Sequence, residues 1–270
     1  MMPELTIALF QAAPDFHTSD RALAALDDAL SRAARSGARL LVTPELYLSG
    51  YGRADAVRAA AQQVTSPGIQ AASLLAARHG IGLVLGYPER SDKEYFNSAV
   101  VFDGQGRLLH NYRKMALPND FERSCFCSGT GPQVFEFEGV RCSVVICYDV
   151  EFPEIPRRAA LAGAELLIVP TALRARWRFV SDCIVPARAY ENAMFVAYCD
   201  YAAHGPKPVY SGASAICAPD GSRLKTGSAQ NGLLLATIDT DAVAARKADF
   251  DFLESLKELN ALSGPLVRFA

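Results

Sequence analysis

Residues 5–11, LTIALFQ, form an apolar run without a charge, the pattern of a strand covered on both faces. In SDRALAALDDALSRAARSG, which follows, Leu23, Leu26, Leu30 and Ala33 recur at helical spacing between a Ser19/Asp20 cap and Gly37 as terminator, so an amphipathic helix is expected. ARLLVTPE (38–45) predicts a second strand ended by Pro44, completing a β-α-β opening. A helix from about Ser66 to Arg78, capped by Ser66 and stopped by Gly80, leads into the strands IGLVLGYPE and NSAVVFD and, past the turn GQG, RLLHNYRK. Further strands are expected at PQVFEFE, RCSVVIC, ELLIVPT, MFVAYCD, GASAICAPDG and GLLLATID, with helices over 153–162 and 179–192. Hairpins alternate with β-α units, which predicts an α/β protein with mixed sheets: one domain over 1–270, with a tail (242–270) that packs back or reaches a partner subunit. Two stretches, 115–132 and 201–211, read as long irregular loops, which in a compact domain usually carry function.

Composition narrows the partner. Half of the 270 residues are apolar, enough for a sizeable core, and 27 Lys and Arg stand against 29 Asp and Glu, so no electrostatic footprint for nucleic acid or an anionic membrane surface is present. No apolar run approaches the roughly 20 residues that cross a bilayer, and MMPELTIALFQ lacks the basic and long apolar regions of a secretory signal. A cytoplasmic protein acting on a small molecule is expected. Seven cysteines, odd in number and irregularly spaced, argue for reduced thiols. No metal is expected: CFC at 125–127 with Cys142 contains no CxxC pair, and His17, His79, His110 and His204 are scattered without ligand spacing. GTG at 129–131 has no following GKS or GKT, and YSGAS at 210–214 is not a GxSxG elbow, so no cofactor is implied either.

Candidate chemistry gathers at strand ends. Cys147 closes the run CSVVIC before the polar turn YDVEFPE, at the carboxyl edge of a strand, where open α/β sheets place their sites. A lone cysteine after an apolar run is more often a packed, inert thiol. Two other expected strands also end in an ionisable group: LLVTPELYLSGY at Glu45 and HNYRKMALP at Lys114. Taken singly, Glu45 reads as a cap or surface acid, Lys114 as a solvated charge and Glu122 as a loop ion pair.

In this order and in motifs of this form, PELYLSGY, YRKMALP and ICYDVEFPE, the chain resembles the nitrilase, or carbon-nitrogen hydrolase, superfamily over nearly its whole length. The resemblance implies a four-layer α-β-β-α sandwich of two mixed sheets. It also implies a Glu-Lys-Cys triad with Glu45 as general base, Lys114 as catalytic lysine and Cys147 as nucleophile, joined by a second glutamate, Glu122 in NDFERSCF. The chemistry suits these residue types. A free thiol of pKa about 8.5 is only a few per cent ionised at neutral pH and needs a base in reach, and a fixed ammonium, with a backbone N–H such as that of Tyr148, can hold the developing oxyanion. Lys114→Ala is expected to fold and to lose rate. In ARAYEN, Arg188 and Glu191 are expected to brace the site or a subunit contact. By the same resemblance a homodimer or higher homo-oligomer is expected, with FPEIPRRAALAG and FVSDCIVPARAYEN as candidate faces.

GYPER, NYRK and CYDVEFPE most resemble small amidases acting on linear aliphatic amides, so hydrolysis of an amide to acid and ammonia is the expected reaction. Hydrolysis of an N-carbamoyl amine or a nitrile by the same triad is the alternative, and a non-catalytic scaffold or thiol sensor a remoter one. Substrate-binding positions are expected at Tyr51, Tyr148, Ala172, Arg174 and Trp177. ALRARWRF places Arg174, Arg176 and Arg178 near the acyl site, where guanidiniums suit a carboxylate, while alternating arginines on a short stretch more often form a solvated face. An ammonium-bearing substrate would need an acid there instead, for which Asp182 and Asp120 are available.

Overall fold

The apolar runs become two six-stranded mixed sheets in a computed structural model that describes residues 4–14 and 19–262. The first sheet is built from β1 (Glu4–Gln11), β2 (Leu40–Val42), β3 (Gly82–Ser91), β4 (Glu94–Phe102), β5 (Leu108–Arg113) and β12 (Gly232–Asp239), in the order β12-β1-β2-β3-β4-β5. In the second, β6 (Val134–Phe137), β7 (Val140–Val144), β8 (Leu166–Pro170), β9 (Phe195–Cys199), β10 (Ala215–Cys217) and β11 (Arg223–Thr226) lie in the order β11-β10-β9-β8-β7-β6. Each sheet has a parallel centre, β1-β2-β3 and β7-β8-β9, flanked by antiparallel strands.

Alternation along each strand assigns its two faces. Ile7 and Leu9 of β1, Val42, Val84 and Val101 join Val144 and Val196 in the core between the sheets. On the opposite face Ala8, Phe10, Leu41, Leu83 and Leu85 pack with Leu26 and Leu30 of α1 (Ser19–Arg35) and Ile69, Ala72 and Ala76 of α3 (Pro67–His79). Ile155 and Ala159 of α5 (Glu154–Leu161) and Val185 and Ala189 of α6 (Val185–Asn192) cover the second sheet. This is the four-layer α-β-β-α sandwich, and strands covered on both faces explain the unbroken apolar runs. Among the described residues, no helix is long and apolar enough to cross a membrane.

Several elements differ from the sequence pattern. The second strand stops at Val42: Thr43 N–H still bonds Val84 O at 2.9 Å, but the next ladder donor, Gly86 N–H, is accepted by Thr43 Oγ1 at 3.0 Å, and Pro44 has no donor. The strand before Cys147 likewise ends at Val144, and Cys147 opens a 3-10 turn, Cys147–Glu151. The expected helix 179–192 is a π-turn, Val180–Ile184, running into α6, since Pro186 cannot donate the hydrogen bond of a regular helix. Leu23 is only half-buried; Ala22 shares the buried face of α1 instead. Ser66 precedes α3 without capping it by its side chain, and accepts from Gln63 N–H at 3.1 Å. Short helices α2 (Ala54–Ala60) and α4 (Asp120–Cys125) and the strand β11 were not legible in the pattern. The expected tail contains α7 (Asp241–Asp249) and α8 (Phe252–Leu262), while 263–270, like His17, lie outside the described residues.

Strand direction places the chemistry. Because β3 is parallel to β2, and β5 is related to β3 by two antiparallel steps, the carboxyl ends of β2 and β5 lie at one end of the first sheet. Glu45 and Lys114 follow those two ends. Glycine is required where the Glu45 segment crosses β3: a Cβ on Gly86 would stand 2.2 Å from Pro44 O and 2.9 Å from Leu46 N. Gly86→Ala is therefore expected to push the Glu45 loop outward, lowering stability by about 1–3 kcal/mol in denaturant unfolding and lowering turnover beyond that loss. An unfolding midpoint and rate equal to the parent's would show that the loop can yield.

Candidate active site

Lys114 sits between two carboxylates. Its Nζ donates to Glu45 Oε1 at 2.6 Å and to Glu122 Oε1 at 2.8 Å, and all three side chains are fully buried. Burial by itself would push the Lys114 ammonium down, but the charges of Glu45 and Glu122 outweigh it and hold it well above the usual lysine value. Burial raises the Glu122 carboxyl, the Lys114 charge opposes this, and the charge of Glu45 adds to it. Two carboxylates around one ammonium carry a net negative charge, so the cluster favours holding an extra proton.

Polar side chains fix this cluster. Asn97, near the start of β4, donates from Nδ2 to Glu45 Oε1 at 2.8 Å and to Glu122 Oε2 at 3.4 Å. Tyr51 donates its hydroxyl to Glu122 Oε1 at 2.6 Å and accepts from Asn119 Nδ2 at 2.8 Å. Asn119 also caps α4, accepting Glu122 N–H at 3.0 Å, so one residue orients both Glu122 and its tyrosine partner. Glu45 Oε2 is buried and has no hydrogen-bond partner among the described residues. An orphaned carboxylate oxygen is costly in a dry site and marks where a reacting proton could be received.

Cys147 stands at the wall of this pocket, half-buried, with φ of 47°, a strained conformation for a non-glycine residue. Leu46, beside Glu45, is strained in the same way, with φ of 51°. Burial and then the Glu45 charge push the Cys147 thiol well above its ordinary value; the Lys114 charge, the Thr171 hydroxyl and the Ala172 N–H pull the other way. The strain at Cys147 is held by Asp149, whose Oδ2 accepts Ile146 N–H at 3.0 Å and the Tyr112 hydroxyl at 2.8 Å, while Oδ1 accepts Ala116 N–H at 2.8 Å. One buried carboxylate thus ties the Cys147 turn to the segment on either side of Lys114. Arg188 supports the same turn, donating to Val150 O at 2.9 Å and Glu151 O at 2.8 Å while pairing with Glu191 at 2.9 Å.

A cavity of about 630 Å³ opens on Cys147, a size typical of small-molecule sites. All five expected substrate-binding residues, Tyr51, Tyr148, Ala172, Arg174 and Trp177, line it. The arginine stretch is corrected in part: Arg174 and Arg176 line the cavity, but Arg178 turns away to Asp182 at 3.2 Å. Neither expected acid is there, because Asp182 is shared by Arg178 and Arg223 and Asp120 pairs with Arg123 at the surface. The acid that does line the cavity is Glu151. Sequence reasoning also passed over Asn97, Asn119, Asp149 and Thr171. Asp149, in the turn directly after Cys147, carried the readable signal of an acid that can accept backbone N–H groups.

The carbon-nitrogen hydrolase family profile matches residues 6–248. A curated relative, a Pseudomonas protegens protein described as "Hydrolase in pqqF 5'region", is 42% identical over 78% of this chain and 75% of its own length. The 2-oxoglutaramate amidase of Bacillus subtilis is 30% identical over 82% of this chain and 86% of its own. Among solved structures, the NitN amidase of Nesterenkonia sp. AN1 superposes with a TM-score of 0.82 at 32% identity, covering 96% of this chain and 99% of that one. A variant of the Nesterenkonia amidase has been solved with acrylamide added at its active-site cysteine.

Proposed function

This chain belongs to the carbon-nitrogen hydrolase family, the nitrilase superfamily, as a hydrolase of the amidase type, and from that premise we propose that it cleaves a small linear amide, aliphatic or ω-, to a carboxylic acid and ammonia through a thioester on Cys147. Glu45 carries the reading: one carboxylate oxygen is held by Lys114 and Asn97, the other, Oε2, is buried without a partner among the described residues, and the Glu45 charge opposes ionisation of the Cys147 thiol. A thiol raised in this way does not wait as a thiolate. Its proton leaves to Glu45 as sulfur attacks the amide carbon, and the carbonyl electron pair moves onto oxygen.

The oxyanion is met by the Lys114 ammonium and the Tyr148 backbone N–H at the start of the 3-10 turn. As the C–N bond breaks, Glu45 returns its proton to the leaving nitrogen, so ammonia departs and the acyl group stays on Cys147. Water then attacks the thioester, giving a proton to Glu45; the C–S bond breaks, the acid leaves, and the sulfur takes the proton back. Glu122 holds Lys114 from the opposite side and stabilises its charge throughout. A nucleophilic cysteine at this position is supported by the Michael adduct of acrylamide on the active-site cysteine of a Nesterenkonia amidase variant.

The test is ammonia release from linear amides, nitriles and N-carbamoyl amines of matched chain length. Linear amides are expected to give the highest kcat/KM; faster release from a nitrile or a carbamoyl amine would move the substrate class while keeping the same residues.

A further inference from the structure

The cavity wall carries charges that the hydrolytic cycle leaves unused. Glu151 ends the turn that begins at Cys147 and lines the cavity, half-buried. Its main-chain carbonyl is held by Arg188, yet among the described residues its carboxylate has no hydrogen bond and no ion pair. Burial pushes this carboxyl up, against the opposing charges of Lys114 and Arg188. A half-buried, unpartnered acid on a cavity wall calls for a cation.

Arg174 and Arg176 line the same cavity from the segment after β8, and neither has an ion pair among the described residues. Arg176 lies over the Trp177 ring at 5.2 Å, which leaves its in-plane N–H groups free. The other two arginines nearby are engaged: Arg178 binds Asp182 and Arg188 binds Glu191. Glu151, half-buried, and the exposed Arg174 and Arg176 line one cavity and do not pair with each other, so its wall carries a negative and a positive pole apart.

Resting on the amidase reading above, we propose that Glu151 and the Arg174/Arg176 pair select an amide whose acyl chain carries both an ammonium and a carboxylate, the chemical class of an amino-acid ω-amide. Glu151 takes the ammonium close to the Cys147 turn, and the guanidiniums take the carboxylate in a bidentate pair, a geometry that fits a planar fork to two oxygens. A neutral amide of the same length leaves both poles unpaired, and a singly charged one leaves one of them so. A hydrogen bond to a charged group supports a preference of about tenfold for each charge matched.

The experiment uses four linear amides of one chain length: neutral, amine-bearing, acid-bearing, and bearing both groups. Steady-state kcat/KM is measured for the full chain, for Glu151→Gln and for the Arg174→Gln/Arg176→Gln double variant, and binding of the four to Cys147→Ala is measured by calorimetry. The parent is expected to favour the doubly charged amide. Glu151→Gln is expected to lower the amine-bearing to neutral ratio about tenfold, chiefly through KM, and the double variant to lower the acid-bearing to neutral ratio by a similar factor. An equal loss on all four amides with Glu151→Gln would assign Glu151 to the shape of the turn and overturn the proposal, as would unchanged ratios or a parent preference for the neutral amide. If none of the four released ammonia, the amidase reading would fail, and the calorimetric ranking on Cys147→Ala would still decide the selectivity.

Discussion

Cys147→Ala is expected to release no measurable ammonia from the best amide, a fall on the order of 10⁴-fold or more, as for removal of a nucleophile that acts in one unit with its base. In the proposed mechanism both half-reactions pass through the sulfur, so its loss leaves only the polarising groups and the bound geometry. The change is expected to spare the fold, because Cys147 faces the cavity and its turn is held by Asp149 and Arg188, not by the thiol. An unfolding transition within about 1 kcal/mol of the parent's is expected. The sharper measurement is mass spectrometry of the parent quenched during turnover, which should show the acyl group on Cys147. Parent-level ammonia release by the alanine variant would remove the nucleophile assignment.

Lys114→Met is expected to damage both activity and stability. Under the proposed mechanism the variant loses the ammonium that meets the oxyanion, worth about 10²–10³ in kcat where single oxyanion donors have been removed. It also leaves Glu45 and Glu122 together, buried, without a cation, and breaking such a buried pair costs about 3–5 kcal/mol. The expectation from sequence that a lysine variant simply folds and slows is thus revised by its full burial.

The sign of the pH dependence follows from Glu122, already raised in the parent by burial first and by Glu45 second. A carboxyl whose folded pKa is raised destabilises the fold when it must ionise, so its penalty is absent below the unfolded carboxylate range and grows as pH rises through the folded value. The stability gap between parent and Lys114→Met should therefore narrow on acidification and widen towards neutral pH, in denaturant unfolding followed across that window. A gap that widened on acidification would contradict the charge arrangement.

Much of the architecture was readable because its cause is local. Apolar runs covered on both faces announce strands, and a left-handed residue after a helix announces itself as glycine, as at Gly37 and Gly80. Element ends were less legible. Thr43 and Pro44 end β2 through a side chain that imitates the ladder, and Pro186 turns an expected helix into a π-turn followed by α6. Short helices such as α2 and α4 give too few turns for a periodic signal, and α4 owes its position to the Asn119 cap.

Motifs singled out Glu45, Lys114, Glu122 and Cys147 as candidates, of which the first three meet in one buried cluster and the fourth lines the cavity, whereas Asn97, Asn119 and Thr171 carried no such signal. An amide or hydroxyl has no chemistry of its own to advertise and acquires importance only from what it faces. The same reason misplaced the pocket charges: the spacing in ALRARWRF is silent on whether a guanidinium turns to the cavity or to Asp182, and Glu151 passed as one more acid in a polar turn.

By itself the sequence determined which groups could react and that they follow the ends of three strands, since strand pattern and residue type are properties of short segments. Tertiary structure alone decided that two carboxylates would share one buried ammonium, that Glu45 Oε2 would be left without a partner, and that Glu151 would face a cavity with Arg174 and Arg176. Those facts depend on residues 45, 114 and 147 being brought together by parallel strand directions and sheet stacking. Burial then sets the protonation of the assembled groups, because removing water changes the energy of a charge far more than any neighbour in sequence does.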